Sequence, residues 1–369
     1  MSIKQTRREW LKLSAFSATA LAFTSFDLKS ESQNNSNKII KLSSNENPYG
    51  FSAKAKQAIV DSLSEGNRYA SPDLAAKLEQ EIALREGLKA ENVILGTGSG
   101  EVLCMTGAAY GWQNGEIVSP DPTFPMVMRY AANFNAKINN VPLNARLEHD
   151  FEAMAKQITD KTSLVYVCNP NNPTATISPN ADLKQFCRET AKKTTVFADE
   201  AYLEYTEEFP RNSMVELVRN GENVIVARTF SKIYGMAGLR IGYGLAKAEI
   251  AQKIKRFRMT WFNNLTLNAT LASLQDAEFV PVNRKRNREV REMFCRELDK
   301  LGFQYAALHA NFIWLKTGEK YRDLPKKLNS FGISIGSRNP AFNPDDVRVT
   351  IGTSEEMQAF LKALKEIKK

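Results

Sequence analysis

Histidine is scarce in this chain, with only His149 and His309 among 369 residues. That leaves little room for a histidine-held metal or for a triad built on an imidazole base, so both are assigned to structure. Cysteine is nearly as sparse. Cys104, Cys168, Cys187 and Cys295 form no CxxC pair and no zinc-ligand spacing, and no metal site is expected. A disulfide stays open in an oxidising compartment, with no pairing fixed. No internal repeat is present. No apolar stretch makes a good spanning helix either, the best candidate being short and rich in Ser, Thr and Ala. Charged residues at 25% and apolar ones at 43% exclude a disordered or membrane-embedded chain. The formal charge is +9, of which residues 1–30 supply +3 (five Lys/Arg against two Asp/Glu), leaving +6. Basic runs such as Lys253–Arg258 and Asn283–Arg288 read as solvated helix faces, and no nucleic-acid partner is expected.

Against these absences stands the stretch Thr229-Phe-Ser-Lys-Ile-Tyr-Gly-Met-Ala-Gly-Leu-Arg240. Lys232 falls between a predicted strand, Val224 to Arg228, and a Gly-rich turn. The hydroxyls of Thr229 and Ser231 and the guanidinium of Arg240 offer hydrogen bonds and positive charge to a phosphate. An amine beside an anion anchor is what pyridoxal phosphate requires.

Three upstream stretches add to it. Asp199, in Ala198-Asp-Glu-Ala-Tyr202, follows the apolar pair Val196-Phe197, where a strand's C-terminal end would point a carboxylate into a ligand crevice. Such a carboxylate keeps a pyridine nitrogen protonated, and Tyr202 can bond the ring oxygen; the plain reading is a strand-ending cap of the next helix. The Asn/Pro-rich turn Cys168–Thr174, after the apolar run Ser163 to Val167, offers Asn172 to the same oxygen. Gly96-Thr-Gly-Ser-Gly-Glu101 lies between Val93–Leu95 and a predicted helix, Val102 to Tyr110, and presents backbone amides to a phosphate. It lacks the spacing of a dinucleotide fingerprint and the lysine of a P-loop.

Together these stretches resemble the fold-type I pyridoxal-phosphate enzymes, and within them the histidinol-phosphate aminotransferase-like branch of the class I/II aminotransferases. Further matches are Ser44–Gly50, Asn67-Arg68-Tyr69, Pro122-Thr123-Phe124, Ala310-Asn311-Phe312 and Val347–Gly352, so the resemblance runs from about residue 38 to 369. It implies an α/β fold: a mostly parallel, seven-stranded-type sheet with helices on both faces, plus a smaller α/β C-terminal domain. It also implies roles. Lys232 would carry the Schiff base to pyridoxal 5'-phosphate and shuttle the proton. Asp199 would face the pyridinium, Tyr202 and Asn172 the ring oxygen, and Phe124 the ring face. Ser99, Gly100, Glu101, Thr229, Ser231 and Arg240 would surround the phosphate, with Tyr69 reaching in from the other subunit of a homodimer. Arg348 would clamp the substrate carboxylate, and Tyr49, Asn311 and Trp261-Phe262 would line the pocket.

Two departures stand out. Ala175 replaces the glycine that commonly follows Asn-Pro-Thr. In Gly332-Ile-Ser-Ile-Gly-Ser-Arg338, the arginine that reads a substrate phosphate in the resembled enzymes is replaced by Ile335 or Gly336, with Arg338 offset. The displaced arginine argues against a phosphorylated substrate, and with aromatics among the pocket candidates the expected reaction is amino transfer between an aromatic or other bulky amino acid and a 2-oxo acid. A decarboxylase or lyase on the same residues, histidinol-phosphate amino transfer, and a non-catalytic ligand-binding module are the alternatives.

The first 26 residues, with Thr6-Arg7-Arg8-Glu9-Trp10-Leu11-Lys12 ahead of an uncharged stretch, resemble a twin-arginine signal. That implies the twin-arginine export machinery as a partner and a periplasmic enzyme, membrane-anchored if the signal is retained. The expected layout is signal 1–26, linker 27–37, N-terminal arm 38–66, large cofactor-binding domain 67–263 and small domain 264–369.

Overall fold

The computed structural model describes residues 39–112, 114–306, 309–336 and 345–369. The signal and linker expected over residues 1–37, and Arg338, lie outside the described residues. Residues 39–369 form one compact unit. Twelve strands are described, numbered in chain order: β1 Ile40–Leu42, β2 Val93–Gly96, β3 Glu116–Asp121, β4 Lys137–Pro142, β5 Thr162–Cys168, β6 Thr195–Asp199, β7 Val224–Thr229, β8 Gly242–Leu245, β9 Gln304–Tyr305, β10 Phe312–Lys316, β11 Ile333–Ile335 and β12 Asp346–Thr350.

The main sheet has seven strands in the order β2-β8-β7-β6-β5-β3-β4. Strands β3 to β7 pair in parallel, while β8 runs antiparallel to both β7 and β2. Every residue of β7, Val-Ile-Val-Ala-Arg-Thr, is buried. A parallel strand covered on both faces needs such a continuous run rather than alternation. Its register decides where the chemistry goes. Cys168 lies opposite Asp199, and Asp199 opposite Ala227, so the loops leaving β5, β6 and β7 emerge side by side at the sheet's carboxyl edge.

The C-terminal part carries the antiparallel sheet β12-β10-β9, and β1 pairs in parallel with β11, Ile40 opposite Ile333. The helices Phe279–Lys300 and Ser354–Lys368 share its core. Phe294 and Phe360 meet there edge-on at 5.3 Å, both fully buried. Truncating either to Ala would cost about 3–5 kcal/mol.

Local signals account for several boundaries. The helix Pro72–Glu86 is capped by Ser71, begins with Pro, and stops at Gly87 in the left-handed conformation. The sequence pattern reads as one long helical stretch from about Asn264 to Leu301 and takes Ser354 as the cap of the last helix, and the structure corrects both. The helical pattern from Asn264 to Leu301 is two helices, Asn264–Leu274 and Phe279–Lys300. Arg85 Nη2 bonds the Leu274 carbonyl at 2.5 Å and Lys54 Nζ the Gln275 carbonyl at 3.0 Å, so the break is stabilised by side chains about 190 and 220 residues away along the chain, a spacing no local pattern encodes. The last helix is capped by Thr353 in a capping box with Glu356, not by Ser354, which is its first residue. The helix Asn264–Leu274, where the sequence reading begins the smaller domain, packs on Ala53–Asp61 and Pro72–Glu86.

All four cysteines are free. No helix among the described residues is long and apolar enough to cross a membrane.

Candidate active site

At the carboxyl edge of β5, β6 and β7 the chain encloses a cavity of about 430 Å³. Ser99, Gly100, Phe124, Asn172, Asp199, Tyr202, Thr229, Ser231, Lys232, Arg240 and Arg348 all line it. Residues spread over more than two hundred positions of sequence converge there because consecutive parallel strands deliver their C-terminal loops to one edge.

Lys232 stands three residues beyond β7. Its Nζ donates to the Ser44 carbonyl at 3.2 Å and lies 5.5 Å from the centre of the Tyr202 ring. Burial, reinforced by the positive charges of Arg348 and Arg240, brings its pKa down to about 8 against the pull of Glu46 and Asp199. Asp199 closes β6. Its Oδ2 accepts from Tyr166 Oη at 3.0 Å and its Oδ1 from the Ala201 N–H at 3.1 Å. Burial raises its pKa to about 6; those two hydrogen bonds and Lys232 oppose the rise, and Glu200 adds to it.

Tyr202 Oη accepts from Asn45 Nδ2 at 3.0 Å and from Asn172 Nδ2 at 3.5 Å, and burial raises its pKa to about 12. Asn45 can reach it because its backbone sits at a φ of 54°, held by an N–H bond to Thr350 Oγ1 at 2.9 Å. Arg348, on β12, donates from Nη1 to Asn172 Oδ1 at 2.9 Å and from Nη2 to the Ser43 carbonyl at 2.8 Å.

An anion cradle closes the other end. Gly98, at a φ of 83°, precedes the 13-residue helix Ser99–Gly111, whose first amides open toward the cavity. Arg240 donates from Nη1 to Ser231 Oγ at 3.4 Å and to the Ala237 carbonyl at 2.9 Å, and from Nη2 to the Thr97 carbonyl at 3.4 Å. A side chain on Gly98 would strike the Arg240 guanidinium, and one on Gly242 would strike the Gly98–Ser99 backbone. Only glycine at both places lets the arginine and the helix start converge. Guanidinium, hydroxyls and free amides suit a phosphate; the amine, carboxylate and phenol suit the ring and aldehyde of pyridoxal phosphate. The residues present fit that group.

Several expected residues lie elsewhere. Glu101 is absent from the cavity wall; its carboxylate takes the Thr97 N–H at 2.6 Å and the Thr260 hydroxyl at 2.5 Å. Burial would raise its pKa, but those hydrogen bonds outweigh it and leave the group below the usual range. Tyr49 also stands outside the wall, with the Arg286 guanidinium 5.0 Å over its ring. Asn311 is buried and donates to the Asn45 carbonyl at 2.9 Å, bracing the wall from behind. Trp261 is exposed and Phe262 is buried beneath Arg258, and neither lines the cavity. Tyr69 is 92% exposed and does not enter its own chain's cavity. Sequence reasoning missed Asn45, Glu46 and Met126 on the wall, and Tyr166 behind it. A tyrosine two residues before Cys168 in an aliphatic strand was the available signal for the last. Among the described residues no cluster suited to a metal is present.

This fold and this site define a fold-type I pyridoxal-phosphate transferase. The chain belongs to the aminotransferase class I and II family, whose model matches residues 37–364. It is 40% identical over 332 residues to a histidinol-phosphate aminotransferase of Brevibacillus brevis, covering 89% of this chain and 90% of that one. A histidinol-phosphate aminotransferase of Moorella thermoacetica is 37% identical over 337 residues, covering 89% and 85%. Among solved structures, the Sinorhizobium meliloti histidinol-phosphate aminotransferase in complex with pyridoxal-5'-phosphate superposes with a TM-score of 0.82 at 25% identity, covering 89% and 90%. The chain is a pyridoxal-phosphate-dependent aminotransferase.

Proposed function

We propose that this aminotransferase acts on an unphosphorylated amino acid, and on a 2-oxo acid as acceptor. One observation carries the reading. Where β11 ends, Gly336 packs on the chain itself: its N–H bonds the Arg348 carbonyl at 3.3 Å, and a side chain there would stand 3.1 Å from that same oxygen. Among the described residues Lys232, Arg240 and Arg348 are the cations on the cavity wall. The first is the amine, the second sits in the anion cradle and the third faces the carboxylate position, which leaves none among the described residues for a substrate phosphate.

When bound, pyridoxal phosphate supplies an aldehyde that condenses with amines and a ring that draws in electrons. The chain's own residues do the rest. Lys232 Nζ, with its affinity for protons brought close to neutrality, takes the substrate α-proton and returns it. The Asp199 carboxylate holds a proton on the ring nitrogen by charge. Tyr202 and Asn172 bind the ring oxygen, Phe124 covers the ring face, and Ser99, Gly100, Thr229, Ser231 and Arg240 hold the phosphate. Arg348 fixes the α-carboxylate. The exposure of Tyr69 supports its reaching into the neighbouring site of a homodimer.

The relatives favour a second reading, histidinol phosphate as the amino donor, with Arg338 as the phosphate reader. Comparing kcat/KM for histidinol phosphate with that for Phe, Tyr, His and histidinol, with 2-oxoglutarate as acceptor, separates the two. A preference for the phosphorylated donor would overturn the first reading. Export is also part of the proposal and rests on Arg7-Arg8 in the resembled signal. Fractionating cells that express the whole chain and its Arg7→Lys/Arg8→Lys variant tests it: periplasmic enzyme is expected only for the former.

A further inference from the structure

We infer that Tyr166 is a positioning residue for the reaction: its phenol holds the Asp199 carboxylate ionised and aimed at the ring nitrogen. The inference rests on the assignment of Asp199 to that nitrogen. The geometry is a consequence of sheet register. Tyr166 and Cys168 point to the same face of β5, and Cys168 lies opposite Asp199 on β6. Tyr166 is therefore the diagonal neighbour of Asp199, and a side chain as long as tyrosine spans that diagonal. Its Oη donates to Oδ2 at 3.0 Å, while the Ala201 N–H serves Oδ1 at 3.1 Å. Each oxygen thus has one fixed donor, and the carboxylate plane cannot rotate without breaking both bonds.

Tyr166 is fully buried, its ring stacked on Phe197 at 5.8 Å with 20° between planes. A phenol inside a parallel sheet needs a partner, and an apolar residue would fill the strand equally well. Burial and the neighbouring Asp199 push its own pKa well above the ordinary value, so it stays neutral and can serve the carboxylate only as a donor. The titratable groups around Asp199 are Tyr166 and Cys168 from β5, Glu200 next in the chain, Tyr202 beyond it, and Lys232 from the loop after β7. Cys168 is buried and driven further toward the thiol by Asp199. Of these neighbours, Tyr166 is the neutral side chain that donates a hydrogen bond to the carboxylate. Without it, burial prevails and Asp199 protonates closer to neutral pH.

Tyr166→Phe keeps the ring and removes the bond. The expected result is a normally folded protein that binds pyridoxal phosphate about tenfold more weakly near pH 6.5, with the acid loss of cofactor affinity beginning about one pH unit higher than in the parent. Affinity is read by titrating the apoprotein with pyridoxal phosphate across pH, independent of turnover. Phe197→Leu disturbs the same packing without touching the bond and should lower stability while leaving the pH profile in place. Asp199→Asn should weaken cofactor binding and flatten that profile. If Tyr166→Phe matches the parent while Asp199→Asn is impaired, Tyr166 has no positioning role and the assignment of Asp199 stands. If neither variant differs from the parent, the assignment of Asp199 falls with it. Equal shifts in Tyr166→Phe and Phe197→Leu would show that packing alone is responsible and overturn the inference.

Discussion

Arg348 and Asn172 are joined across 176 positions of sequence by a 2.9 Å hydrogen bond from Nη1 to Oδ1. Nη2 is fixed on the Ser43 carbonyl, and the guanidinium stands 5.5 Å over the Phe312 ring. The arginine is therefore held in place before any substrate arrives, which limits the side-chain entropy lost on binding. Nε is buried with no hydrogen-bond partner among the described residues, while Nη1 and Nη2 each keep a second N–H for an incoming carboxylate. Arg348→Lys keeps the charge but cannot reproduce the planar fork. KM for the amino donor should rise roughly a hundredfold with cofactor affinity little changed. Steady-state kinetics beside a pyridoxal phosphate titration would check this, and an unaltered KM would remove Arg348 from substrate binding.

The amine of Lys232 gives a pH signature. Burial lowers its pKa from 10.5 to about 8, so the amine is charged below that pH and neutral above it. Only the neutral amine attacks a carbonyl. The rate at which apoprotein captures pyridoxal phosphate should climb with pH and level off near 8, where an exposed lysine would keep climbing. Stability carries the same sign. Between about 8 and 10.5 the unfolded chain holds a proton that the folded chain has released, so apoprotein stability gains from this group as pH rises through that window. Lys232→Met should abolish that gain in urea unfolding measured at pH 7.5 and pH 10.

The sheet and most of the cavity wall were legible because each strand announces itself. Val224–Ala227 and Val196–Ala198 are continuous apolar runs, and the polar residues that close their strands, Thr229 and Asp199, fall at the ligand edge of a parallel sheet. Tyr166, Asn45 and Glu101 were not legible in the same way. The first acts through register with another strand, the second through a left-handed backbone fixed by Thr350, and the third was drawn off by Thr260, 159 positions later. Such pairings depend on which segments meet in space, and local pattern is silent on that. Ala175 is the opposite case. It keeps a φ of 58° where glycine would be free of strain, and it is fully buried beside Tyr202 and Phe312, so packing of its methyl group offsets the strained backbone.

Tyr69 offers a test of whether sites are shared between two chains. With 92% of its surface exposed it serves nothing in its own chain's cavity. Suppose it completes the neighbouring site of a homodimer. Then Tyr69→Ala and Lys232→Ala, each impaired alone, should complement when subunits are mixed. A hybrid dimer holds one doubly damaged site and one intact site. Random reassortment of equal amounts makes half the dimers hybrids, so about a quarter of the parent activity should return. No recovery, with hybrids shown to form, would place Tyr69 outside the catalytic site.

Arg228 should prove the least replaceable charge of the large sheet. Only 2% exposed, it donates from Nε to Glu200 at 3.0 Å, from Nη1 to Glu86 at 2.7 Å and from Nη2 to the Ser213 hydroxyl at 2.7 Å. Glu200 directly follows Asp199, and Arg228 directly precedes Thr229. The ion pair therefore fastens two cavity loops together from beneath. Removing one partner leaves the other charge buried and unpaired, which costs about 3–5 kcal/mol, whereas removing both costs far less. Arg228→Met alone should be strongly destabilised in urea unfolding, and Arg228→Met/Glu200→Gln should regain much of the loss. Cofactor affinity reads a separate consequence: if the pair fixes the loops, the double variant stays folded yet binds pyridoxal phosphate more weakly than the parent. Parent-like affinity in that variant would confine the pair to stability.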